Sequence, residues 1–138
     1  MPSQVKLLTV IEYFRDSRPW KAHHSMCPSW EEVEVAIRRM ENYCFPIVQL
    51  NLTEFDDDEN IFNVIGGVGR YALFRMTGDW QYEDPNGTDD PVHLWDSDQG
   101  YECLQRNVLI DVERVLGLAN VFYETGSYEA IEIAARAG

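Results

Sequence analysis

The stretch that most constrains this chain runs over residues 60–77, N-I-F-N-V-I-G-G-V-G-R-Y-A-L-F-R-M-T. Two arms rich in β-branched and aromatic residues, 61–65 and 71–76, flank Gly66, Gly67 and Gly69. Glycine adopts positive φ without steric cost, so the pattern predicts a hairpin with Gly66, Gly67 or both at φ > 0. Alternation in the second arm places Ala72, Phe74 and Met76 on one face and Tyr71, Leu73, Arg75 and Thr77 on the other. Apolar residues on both faces predict a central hairpin, with helix over at least one face. A phosphate-binding glycine loop is excluded. Ala72 stands where the dinucleotide fingerprint needs its third glycine, a strand follows instead of a helix, and no Lys-Ser/Thr pair completes a P-loop.

The flanking segments read in order. A first strand is expected within 5–14, then a loop over 16–26 that holds Trp20, His23 and His24. Ser29 and Glu32 form a capping box at the start of a helix. Trp30, Val33, Ala36, Ile37 and Met40 give that helix one apolar face, and Glu34 pairs with Arg38. Residues 45–52 alternate as a strand, with Val48, Leu50 and Leu52 inward and Gln49 and Asn51 outward. A short strand is expected at 92–95, with Trp95 in the core, and another within 102–109 at an edge. Asp111 caps a second helix that Gly126 stops, and 129–137 forms a short third helical piece. Gly117 inside the second helix predicts a close approach to the sheet. The 138 residues form a single α+β domain: an antiparallel sheet of about five to six strands with two main helices packed on it.

Charge narrows the partners. Asp and Glu total 24 against 11 Lys and Arg, a net −13. Such a field repels nucleic acid and anionic membrane and speeds encounter with a basic protein. No run is long enough to span a bilayer, and no leader pattern opens the chain. Cys27, Cys44 and Cys103 are odd in number and widely spaced, which predicts a reducing, cytoplasmic setting.

Candidate chemistry fails on ligand count. His23, His24 and Cys27 are a fragment of a zinc site with no second pair, and His93 stands alone. Asp56-x-Asp58-x-Asn60 opens like a calcium loop, but Ile61 and Gly67 replace the required Gly and Glu. No serine sits in a nucleophile elbow, and the zinc-deaminase signature is absent. No catalytic residue, metal or cofactor is expected. What remains is an acidic and aromatic mixture: Asp56, Asp57, Asp58 and Glu59 before the hairpin, and Asp79, Trp80, Tyr82, Glu83, Asp84, Asp89 and Asp90 after it. These loops leave the open end of the hairpin and are expected to form one exposed partner-binding patch, with the aromatics as anchors.

Several segments together resemble a known family. Pro28-Ser29-Trp30-Glu31-Glu32-Val33 opens a helix, and Val64-Ile65-Gly66-Gly67-Val68-Gly69-Arg70-Tyr71 forms the hairpin. Arg106-Asn107-Val108-Leu109-Ile110-Asp111 precedes a helix ending Phe122-Tyr123-Glu124-Thr125-Gly126. In this order, over roughly 28–126, they resemble the first-numbered immunity-protein family of bacterial polymorphic toxin systems. The family usually has a Trp soon after the last Gly, where this chain has Tyr128. The resemblance implies an α+β protein encoded beside a toxin, which it binds and neutralises, with nucleic-acid deaminases or nucleases as the first guess for the toxin. The competing reading is a small enzyme or ligand-binding domain with a pocket between sheet and helices.

Overall fold

The computed structural model describes residues 3–16, 18–55 and 58–137. The expectations at Asp56, Asp57 and the Asp58 side chain lie outside the described residues.

The hairpin forms the middle of the molecule. Strand β4 (Ile61–Gly67) pairs antiparallel with β5 (Arg70–Arg75), from Phe62 opposite Arg75 to Gly67 opposite Arg70. Gly66 and Gly67 have φ of +129° and +139°, as the glycine pattern predicts. They lie within the strand, however, and the turn itself is only Val68-Gly69. Both turn residues have positive φ, +53° and +83°, the signature of a two-residue type I′ hairpin.

Around it, β1 (Leu7–Glu12), β2 (Lys21–Met26), β3 (Ile47–Asn51) and β8 (Val108–Leu109) complete a six-stranded sheet in the order β2-β1-β3-β4-β5-β8. Every pairing is antiparallel. Strand β2 corrects the loop expected over 16–26. Its residues, Lys-Ala-His-His-Ser-Met, carry no apolar alternation because it is an edge strand exposed along most of its length. The segment expected to give one strand within 102–109 gives two. Strand β7 (Tyr101–Leu104) pairs with β6 (Pro91–Leu94) in a separate two-stranded sheet, and a 3-10 turn at Gln105–Asn107 diverts the chain into β8.

Three helices cover one face. Helix α1 (Trp30–Arg38) begins in the expected capping box: Ser29 Oγ accepts from the Glu32 amide, and the Glu32 carboxylate accepts from the Ser29 amide. Arg38 pairs with Glu34 at 3.0 Å and with Glu113 of α2 (Val112–Thr125) at 2.9 Å, which ties the two helices together. Asp111 caps α2, and Gly126 ends it at φ +64°. Gly117 is exposed and a Cβ there would meet nothing within 4 Å, so the expected close approach to the sheet is wrong. The tail forms α3 (Tyr128–Ala137), the short third helix expected over 129–137.

The helix-side core centres on Phe62, stacked on Phe122 at 4.9 Å between ring centres, with Val33, Ile37, Val48, Leu50, Val64 and Leu73 around them. On the opposite face the β6–β7 hairpin covers Ile11, Ile47, Ile65 and Ala72 with Leu94 and Trp95. Trp95 is core as expected, at 8 % exposure. Asn42 joins the layers: its Nδ2 donates to the Gly67 carbonyl, and its Oδ1 accepts from the Trp95 amide, each at 3.0 Å.

Candidate functional site

At the open end of the β4–β5 hairpin the two acidic loops approach each other through one arginine. Arg75 donates from Nε and Nη2 to the Glu59 carbonyl, at 3.0 and 2.6 Å, and from Nη1 to Asp79 at 3.3 Å. The Thr77 hydroxyl also donates to Asp79, at 2.7 Å. That hydrogen bond, with the Arg75 charge, holds the Asp79 carboxyl below its ordinary value. Arg75 thus links the Glu59 main-chain carbonyl to the Asp79 carboxylate.

The rest of the second loop leaves this contact. After Asp79 the chain turns back along β5: the Arg75 amide donates to the Trp80 carbonyl, and the Tyr82 amide donates to the Leu73 carbonyl. Glu83 and Asp84 then lie beside α3, where Arg136 donates to the Glu83 carbonyl at 3.3 Å. Asp84 accepts from the Asn86 amide and shapes a turn, and Asp89 pairs with Arg106 at 2.8 Å. Glu83, Asp84 and Asp89 thus take local partners of their own, apart from the Arg75 contact.

The aromatic anchors are corrected. Tyr82 is 8 % exposed and belongs to the helix-side core, with its carbonyl accepting from Asn107 Nδ2. Trp80 is half-buried against Tyr128 and Phe62, with ring centres 5.2 and 6.2 Å away, and its indole N–H donates to Glu132 at 3.0 Å. Both side chains hold the 80–82 segment to the body of the protein. Their spacing already contained the reason: Trp80 and Tyr82 alternate with Asp79, Gln81 and Glu83, the period of a strand with one buried face.

The described surface shows how the charge is distributed. Six arginines, Arg15, Arg18, Arg38, Arg75, Arg106 and Arg136, are each within ion-pair distance of a carboxylate. Glu31, Glu54, Glu83 and Glu129 are exposed and have no ion pair among the described residues. Six of the nine guanidiniums are thus paired within the chain, while these four carboxylates face solvent.

No group of three or more His, Cys, Asp or Glu among the described residues could hold a metal. His23 bonds Glu12 at 2.8 Å, His24 bonds Thr9 at 2.9 Å, and His93 bonds Glu102 at 2.8 Å, each on a separate part of the surface. The three cysteines are free thiols. A cleft of about 400 Å³ opens between the 82–86 loop, Arg114 and the end of α3. Its guanidiniums are occupied structurally: Arg114 donates to the Ala135 carbonyl at 2.6 Å, closing the C-terminal end of α3.

Sequence reasoning missed the half of the helix-free face that β6–β7 leaves uncovered. Trp20, Met26 and Phe55 are exposed there at 54, 52 and 66 %. The outward placement of Gln49 in β3 was legible, but without β2 the face had no second side. No helix among the described residues is long and apolar enough to cross a membrane. No protein-family model, no curated protein and no solved structure matches this chain.

Proposed function

We propose that this protein is a cytoplasmic immunity protein that binds a basic toxin domain and neutralises it. The observation that carries this reading is the pairing pattern of the charges. Most arginines are neutralised by their own neighbours, while exposed glutamates stay unpaired. A toxin that acts on nucleic acid needs a cationic groove for its substrate. An inhibitor of surplus negative charge meets that groove with complementary potential, which raises the association rate and disfavours wrong partners. The resemblance of the ordered motifs over 28–126 to the immunity family supports the same role.

The test is co-expression. The probe is a candidate toxin: the C-terminal domain of any large protein found to be encoded next to this gene. Cells expressing that domain alone should stop growing, and cells expressing both should grow. Growth arrest that persists with this protein present, at equal expression, would overturn the reading.

A further inference from the structure

Strand register places four polar side chains in one row across the helix-free face: His24 in β2, Thr9 in β1, Gln49 in β3 and Asn63 in β4. The neighbouring row, Ala22, Ile11, Ile47 and Ile65, is apolar and lies at the β6–β7 hairpin. Thr9 satisfies His24. Asn63 is not fully satisfied, although it is only 1 % exposed. Its Nδ2 donates to the Met76 sulfur at 2.9 Å. A thioether sulfur only accepts, so this contact fixes which end of the amide faces it. The other end, Oδ1, is buried without a hydrogen-bond partner. A buried acceptor left unpaired costs stability that an arriving donor would restore.

The surroundings indicate what kind of donor fits. A cleft of about 270 Å³ over the His24, Thr9 and Gln49 part of this row is bounded by Trp20, Ile11 and Met76; Asn63 lies behind Met76 rather than in its wall, and His24 joins the cleft to a second, of about 300 Å³, at Met26, Glu54 and Phe55. Neither cleft has a Lys or Arg in its wall, and the single carboxylate is Glu54, at the start of the acidic run 54–59. Met76 is flexible and 39 % exposed, so it can swing off Asn63. Exposed Trp, Phe and Met around a polar centre match the anchor pattern of protein interfaces better than an enclosed small-molecule site.

We propose that this half-face is the contact surface for the partner protein. A Lys or Arg side chain of the partner enters over Met76 and donates to Asn63 Oδ1, while Trp20, Met26 and Phe55 pack around it. The inference rests on the immunity reading and specifies the surface that the toxin domain covers.

The test uses the full chain and the candidate toxin domain of the co-expression experiment, with Kd measured by titration. Asn63→Leu removes the unpaired acceptor at similar volume. It should raise the melting temperature of the free protein yet weaken binding at least tenfold, a combination that a purely structural Asn63 would not give. Trp20→Ala should weaken binding by a similar factor, and Ile133→Ser, on exposed α3 surface, should leave it unchanged. Wild-type affinity in both Asn63→Leu and Trp20→Ala would overturn the surface assignment and leave the toxin-binding reading standing. If the wild-type protein fails to bind the domain at all, the toxin reading falls, and a synthetic octapeptide alternating Lys and Val decides the surface by NMR. Shifts of the Asn63 and Gln49 side-chain amides would then support it, and their absence would overturn it.

Discussion

Gly67→Ala should strongly destabilise this fold, because the added methyl meets only backbone. Gly67 sits in β4 at φ +139°, a region that L side chains rarely adopt. A Cβ there would lie 2.5 Å from the Met40 carbonyl carbon and oxygen and from Glu41 Cα. All three are backbone atoms, so no rotamer change relieves the clash. Met40 is 2 % exposed and cannot retreat into solvent. Moving the β4 end instead strains the hydrogen bond from Asn42 to the Gly67 carbonyl. The backbone conformation costs about 1–3 kcal/mol and the overpacking about 1–3 kcal/mol more, roughly 4 kcal/mol together. For a domain of this size that lowers the melting temperature by about 12 °C. Urea denaturation followed by circular dichroism gives the free energy. The control is Gly117→Ala, where a methyl meets open space and should stabilise by about 1 kcal/mol. A loss below about 1 kcal/mol for Gly67→Ala, with the denaturant slope unchanged, would refute the close-approach argument.

Val68 is β-branched at φ +53° and 76 % exposed, so Val68→Asn should stabilise by about 1 kcal/mol through its preference for the first position of a type I′ turn. A lower urea midpoint would count against that turn. Trp80→Ala removes the contacts with Phe62 and Tyr128 and the bond to Glu132; it should cost about 2–4 kcal/mol of stability, measured by the same titration. Glu32 is held below the ordinary glutamate value by the Ser25 hydroxyl and the Ser29 amide. A depressed carboxyl contributes stability that is present above about pH 4.3 and lost as pH falls through its folded value. Glu32→Gln should therefore flatten the acid limb of stability below about pH 4.5, and an unchanged slope there would remove Glu32 from the linkage.

What was legible in the sequence was local chemistry with a single solution. Ser29 and Glu32 can satisfy each other only as a capping box, and Asp111 and Gly126 bracket one helix. The glycines of the hairpin demanded positive φ, although not where the turn would fall: Val68, which sequence preference would exclude, took the turn because Gly66 and Gly67 were needed for close approach to Arg70 and Met40. Strand β2 was invisible because an exposed edge strand buries too little to impose a period. The 80–82 segment has the period of two, but the surrounding acids and turn residues hid it. The polar row needed the register of four strands, which no local pattern contains.

If surplus negative charge recruits a cationic protein domain, association is steered and salt-sensitive. Stopped-flow association with the candidate toxin domain, measured across ionic strength, is the decisive experiment. The association rate constant should fall at least tenfold between about 20 and 500 mM salt, as screening shortens the Debye length from roughly 20 Å to about 4 Å. Neutralising Asp56, Asp57 and Asp58 to Asn together should lower the low-salt rate and shrink its salt dependence. An association rate independent of salt, or a triple variant that associates as fast as the parent at low salt, would contradict it.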